Sequence, residues 1–426
     1  MSTNDLRTQS KKTYLYYSLL FFLFCTCYAC LTYNTAYYLE IGLSNTMIGL
    51  IQSFNSIASF IVPPIMGILA DKMRSTRKAL RLCILFNIFA FVAMPNLRGF
   101  LPLLALTSVF SGTRNAADSL SMTWVVSELE LAKKRGIHIP YGSVRVGGSA
   151  GYSLFCILLN LAMDKLGLSV RGSFYVGAVS MAAMLLFLLL DIGHAKQEPA
   201  AADSIAKPKP LTLKELRPRR LLHNYYYLTY LLTYVLLWMA SCFDLNYTTN
   251  LLQEIGVSTA FLGTVSGIRA ICEIPGLFFS GRMAKKFGYE RCLIASGIAF
   301  TLESFLFMNA QGPLAVLAAQ AIHGVFDGMF MGLYGTYLFK LIPHSLAATT
   351  QTFNMAAANI AAMVFYLLGG SIVDRLGVRT VYWLAAAIPA VGIVWFLITL
   401  WIGRIRRIPR YDPENDPIEQ AILHHE

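Results

Sequence analysis

The stretch LEIGLS at residues 39–44 returns as QEIGVS at residues 253–258, an offset of 214. At the same offset Tyr33 matches Tyr247, Thr35 matches Thr249, Gly49 matches Gly263 and Gly67 matches Gly281. The register holds through an apolar run, a loop and a second apolar run, which chance likeness between short loops does not produce. Further on, MDKLG at 163–167 is echoed by VDRLG at 373–377, with the offset slipped to 210, as a loop of different length would cause. The chain therefore reads as two copies of one unit in the same orientation.

The surroundings of the repeat identify its solvent. The 426 residues are 56% hydrophobic and 14% charged, too apolar for a water-soluble surface of that size. A membrane-spanning helix needs about 20 apolar residues. Apolar runs occupy 14–39, 46–70, 79–97, 101–128, 141–165 and 173–192, then 223–253, 259–283, 291–309, 313–341, 347–372 and 380–403. These give an all-α polytopic membrane protein of 12 transmembrane helices in two parallel-repeat six-helix bundles. The expected division is an N-terminal bundle at 1–192, a cytoplasmic linker at 193–222, a C-terminal bundle at 223–403 and a cytoplasmic tail at 404–426. The first run is too long for a signal-peptide core and is read as a retained helix.

The net charge of +12 is distributed by connection. The head, the segments 72–81, 133–135, 196–220 and 282–291, and the tail at 404–410 hold 26 of the 35 Lys and Arg residues. The alternate connections hold Arg98, Lys165, Arg171, Arg375 and Arg379. This asymmetry predicts cytoplasmic termini and a lipid partner, and it leaves a nucleic-acid partner without support. The eight cysteines lie in or beside apolar runs, which argues against a disulfide framework. Cys25, Cys27 and Cys30 cluster, but no second Cys or His group completes a metal site, and His424 and His425 stand too alone to form one. No Gly-rich Lys loop for nucleotide is present, so neither ATP-driven transport nor enzyme activity is expected.

Among the charged residues inside the predicted spans are Arg114, Asp118, Arg145, Asp244, Arg269, Glu273, Glu303, Asp327 and Lys340. Each costs roughly 2.5 to 3.5 kcal/mol at a helix centre unless paired or hydrated. Arg114 with Asp118, Arg269 with Glu273, and His323 with Asp327 are spaced i,i+4 and share a helix face. A water-filled cavity between helices is the natural place for such groups. Structural pairing competes with solute binding for Arg114, Arg269 and Asp244, whereas Lys340, near a helix end, can snorkel. A carboxylate and a guanidinium together hold sugar hydroxyls by directional hydrogen bonds, and Tyr152, two turns from Arg145, offers a ring for stacking. Glu273, Glu303 and Asp327 are the carboxylic acids available to exchange a coupling proton.

The loop after the second span reads GILADKMRSTRK (67–78), and it resembles the loop that marks the major facilitator superfamily. The resemblance implies a cytoplasmic gate built on Gly67, Asp71, Arg77 and Lys78, with Asp71 at a helix end beside basic partners. Serine and threonine stand near the place of the second family glycine, and the repeat-equivalent of Asp71 is Lys285. Within that superfamily, YGSVRVGGSAGY (141–152), NAADS (115–119), CEIPG (272–276) and QAIHG (320–324) resemble segments of the oligosaccharide, nucleoside and arylpropionate proton symporters. That branch implies substrate binding by Asp118, Arg145 and Tyr152 and proton coupling through Glu273 and His323; the intramembrane charges add Asp244 and Arg269 as substrate-binding candidates and Glu303 and Asp327 as proton-coupling candidates. In two respects the chain departs from the pattern: Asp327 follows His323 by four residues rather than three, and Glu303 replaces an arginine. The expectation is a monomeric, proton-coupled importer of a sugar or glycoside in a bacterial inner membrane, with the proton as coupling ion and no other cofactor. A nucleoside or aromatic-carboxylate symporter, a drug exporter and a non-transporting sensor remain the alternatives.

Overall fold

The computed structural model describes residues 3–190, 224–342 and 347–411, so the expected linker and most of the tail lie outside the described residues. Thirteen helices account for the described chain: α1 (Thr3–Leu31), α2 (Asn34–Glu40), α3 (Asn45–Lys72), α4 (Thr76–Ala93), α5 (Phe100–Lys134), α6 (Tyr141–Leu166), α7 (Val170–Leu190), α8 (Tyr225–Glu254), α9 (Leu262–Phe287), α10 (Tyr289–Met308), α11 (Pro313–Leu338), α12 (Ala347–Leu376) and α13 (Val378–Ile405). Among the described residues there is no β-strand. In hydrocarbon each backbone N–H and C=O must be satisfied within its own segment, and helices do that.

Ten segments are long and apolar enough to cross a membrane, or eleven if the bent α8 is one span. The first of them joins α1 and α2 across a break at Thr32 and Tyr33, where one continuous helix was expected. The expected fourth span falls on α5, a 35-residue helix that is not among these segments. Its interior carries Arg114, Asn115 and Asp118, and it falls outside the apolar set for that reason. Lipid-facing surface is plain elsewhere: Val179, Phe278, Trp383 and Trp401 are each more than half exposed.

The described residues fall into two compact units. One contains 3–190 with 252–271 and 366–374; the other contains 224–251, 272–342, 347–365 and 375–411. In the first, α1 packs on α6 and α7, α3 on α5, and α4 on α5 and α7. The repeated sequence explains two features of this unit. Gly42 and Gly256 take φ of 84° and 73°, a turn that a side chain resists, and the serines two residues on, Ser44 and Ser258, cap the helical turns that follow. Gly49 and Gly263 mark close approaches, since a Cβ at either would stand 2.2 Å from a carbonyl oxygen, that of Tyr366 or of Cys156. Beside Gly49, the Asp374 carboxylate accepts hydrogen bonds from the backbone N–H of Asn45 and Thr46 and from both their side chains, at 2.7 to 3.0 Å. It supplies negative charge to the positive end of α3.

In the second unit α10 packs on α11 and α13. Its core is rich in aromatic rings, including Tyr227, Tyr230, Tyr234, Phe300 and Phe330, with Tyr234 stacked on Phe330 at 5.9 Å. Buried tyrosine hydroxyls find acceptors: Tyr230 donates to the Tyr334 carbonyl and Tyr227 to the Asn354 side chain.

Candidate functional site

The site residues of the first unit come from α1, α5 and α6. Arg145 enters from the first turns of α6, and its guanidinium meets three groups. Its Nη2 lies 3.7 Å from Asp118 Oδ1, its Nη1 3.1 Å from Cys25 Sγ, and its Cζ 5.1 Å from the centre of the Phe21 ring. The side chains of Arg145 and Asp118 stay 39% and 41% exposed, so they present hydrogen-bonding capacity to an open space. Gly148, one turn after Arg145, clears that space, since a Cβ there would stand 2.5 Å from Arg145 Nη1 and 2.8 Å from Cys25 Sγ. Two turns along α6, half-buried Tyr152 brings its hydroxyl to 3.4 Å from Thr32 Oγ1, at the break between α1 and α2.

The expected i,i+4 pairing of Arg114 with Asp118 is not the pairing observed. Asp118 closes on Arg145, and Arg114 instead lies over the Tyr28 ring, with Cζ 4.5 Å from its centre. The physical reason is geometric. The α1 tyrosine offers Arg114 a π face, and a carboxylate on the same helix must compete with α6, which delivers a guanidinium from across the space.

The second unit gathers His323 and Asp327 from α11, Glu303 from α10 and Ser241 from α8. His323 Nδ1 hydrogen-bonds Glu303 Oε2, and His323 Nε2 lies 3.8 Å from Asp327 Oδ2. Ser241 donates to Asp327 Oδ1 at 3.2 Å, and the Phe300 ring packs 5.0 Å from the imidazole. His323 has no exposed surface, and Glu303 and Asp327 have almost none. The three groups pack against one another in a buried site, where any charge depends on its neighbours for compensation. The carboxylates sit on opposite ring nitrogens and do not converge on a point, and among the described residues no group of three or more His, Cys, Asp or Glu residues could hold a metal ion.

Arg269 and Glu273 are half-buried and lie one turn apart on α9. The turn of α9 at Glu273 reaches α11 closely, since a Cβ on Gly328 would stand 2.1 Å from the Glu273 carbonyl oxygen. The Asp244 side chain lies outside the described residues. In the expected gate loop Asp71 and Lys78 are exposed, and Gly67 has open space around its α-carbon. Arg77 and Arg81 both give Nη2 to the Leu188 carbonyl, at 3.3 and 2.9 Å, and so close the C-terminal end of α7. Arg77 also lies over Trp124, 5.0 Å from its ring centre. Lys340 lies 4.2 Å over the Tyr289 ring.

Residues 14–359 match the MFS_1 like family. The chain belongs to that family and is a major facilitator transporter. The transporter is 26% identical over 389 residues to the maltose permease of Geobacillus stearothermophilus, covering 90% of this chain and 93% of the permease. It is 24% identical over 367 residues to a putative sugar efflux transporter of Deinococcus radiodurans, covering 86% and 91%. Its fold is similar to that of the nucleoside transporter NupG, with a TM-score of 0.78 at 18% identity, covering 91% of this chain and 99% of the other. The transporter is thus an integral membrane protein that moves a small solute, and not an enzyme.

The sequence alone did not indicate the partners of the charged groups. Phe21, Cys25 and Tyr28 sit in an aromatic and cysteine-rich run whose spacing suggests only packing, and Ser241 is one of several small polar residues on α8. The glycine pair at 147–148, directly after Arg145, is a signal that could have suggested crowding around that guanidinium.

Proposed function

We propose that the transporter is a proton-coupled symporter that imports a sugar or glycoside by alternating access, in a bacterial cell membrane with both termini cytoplasmic. The observation that carries this reading is the Glu303–His323–Asp327 cluster, two carboxylic acids on opposite nitrogens of one buried imidazole. The cluster supplies groups that can exchange a coupling proton, and the conformation that retains the proton is thereby favoured. Glu273, on the adjoining turn of α9, belongs to the same function.

Solute recognition is assigned to Asp118, Arg145 and Tyr152, with Arg269 and Asp244. The half-exposed Asp118–Arg145 pair has both acceptors and donors to spare, as sugar hydroxyls require. The names of the two sugar-handling relatives support a sugar as cargo, and one of them names efflux. The basic loop at 72–81, with Gly67, Asp71, Arg77 and Lys78, is assigned to a cytoplasmic gate, and the charge asymmetry of the connections supports its placement on the cytoplasmic side.

The test is uptake into proteoliposomes with and without an imposed pH gradient, for the natural chain and for Glu303→Gln, Asp327→Asn and Glu273→Gln. Accumulation should require the gradient and disappear in the variants, while downhill exchange of labelled solute persists. Gradient-driven accumulation that survives all three substitutions would overturn the proton assignment.

A further inference from the structure

Arg114 is the one cation of the α5–α6 cluster without a carboxylate. Asp118, the single acid there, is taken by Arg145 at 3.7 Å. Among the described residues no ion pair involves Arg114, and its Nε is buried without a hydrogen-bond partner. Its one ring contact is Tyr28, with Cζ 4.5 Å from the ring centre, which attracts the cation without neutralising it. Arg114 lies 14 residues into a 35-residue helix, about 20 Å from its start, near the depth where a charge is most costly. A half-buried guanidinium at that depth, set over a ring with donors left over, resembles one side of a bidentate contact whose other side is absent.

We infer that the solute is a monoanion, a sugar acid of the uronate or aldonate type, whose carboxylate pairs with Arg114 while its hydroxyls are held by Asp118 and Arg145. The inference rests on the reading of a proton-coupled sugar carrier and narrows its substrate class. Charge counting supports one negative charge rather than two: Arg114, Asp118 and Arg145 sum to a single positive charge, which one carboxylate cancels. A neutral sugar would leave that charge uncompensated in the closed cavity. The consequence for the cycle is that one proton and one monoanion cross together with no net charge.

The deciding experiment uses the full chain in proteoliposomes with alkaline interior, and compares initial uptake of glucuronate and galacturonate with that of glucose and galactose. At least one acid should be taken up with a kcat/KM at least ~10-fold above its neutral partner, the gap expected for one lost charge-assisted contact. Its uptake should be insensitive to a potassium-diffusion potential. Arg114→Gln should cut the preference for acid over neutral sugar by a similar factor, and Arg114→Lys should restore part of it. Should Arg114→Gln fail to insert, Tyr28→Leu, which removes the platform and keeps the charge, is expected to raise the KM for the acid. Gradient-driven uptake of neutral sugars with no acid transported would overturn the inference and leave the proton-coupled sugar reading standing. Acid uptake that depends on Arg114 and ignores the pH gradient would do the reverse. Acid uptake with an unchanged KM in both Arg114 variants would also overturn it.

Discussion

Two residues show how single side chains tune this carrier. Gly148 leaves room for the Arg145 guanidinium, and a methyl group there would stand 2.5 Å from Nη1. Because the tip of an arginine can swing away, Gly148→Ala should leave the fold intact and displace the guanidinium from Asp118. The KM for the transported solute should then rise roughly tenfold, the scale of one charge-assisted hydrogen bond. An unchanged KM with normal thermal stability would show that Arg145 does not touch the solute. Arg74 takes φ of +48° in the loop between α3 and α4, the left-handed region that favours glycine. This strained residue follows Asp71 by three, at the place of the second family glycine in the motif. Arg74→Gly should raise stability by about 0.5 to 1 kcal/mol, relieved strain exceeding the added chain entropy of glycine. Thermal unfolding in detergent would check it, and a lower midpoint would contradict it.

At the scale of elements, helix ends carry the argument. The Asp374 carboxylate, on the last turns of α12, satisfies two N-terminal backbone donors of α3 and two side chains beside them. Asp374→Ala should therefore cost about 1 kcal/mol, the usual worth of a helix N-cap with a favourable dipole term. Asp374→Asn, which keeps an acceptor, should cost less; equal losses in thermal midpoint would show that charge alone matters. The VDRLG motif did not announce this role for Asp374, since its partners are over 300 residues away in sequence. Helix placement itself was legible from apolar runs, because hydrocarbon thickness sets their length. The break between α1 and α2 was not: Thr32 and Tyr33 include neither proline nor glycine, and tertiary packing around Tyr33, whose hydroxyl donates to the Ala260 carbonyl, determines the bend. In the site, the residue types were legible from their cost in lipid, whereas the pairing was not. Spacing along one helix pointed to Arg114 with Asp118, and α6 supplied a stronger partner.

For the whole molecule, the count of crossings depends on α5. Ten segments pass as apolar spans and α8 makes an eleventh, so with α5 the number is twelve and the two termini lie on one side. Without it the number is odd and they lie on opposite sides. The reason to include α5 is physical: its Arg114 and Asp118, with Arg145 of α6, can sit at membrane depth if they line a hydrated cavity rather than lipid. The ends of α5 support the same view. Lys133, Lys134 and Arg135 follow one end, and the loop at 97–99 with a single arginine precedes the other. The positive-inside tendency assigns these to opposite faces, with the lysines cytoplasmic. A cysteine introduced at Gly99 should accordingly react with a membrane-impermeant maleimide in intact cells, while one at Gly136 should react only after the membrane is opened. Labelling of both from the same side would mean that α5 does not cross, would place the termini on opposite faces, and would remove the cavity in which Arg114 meets its anion.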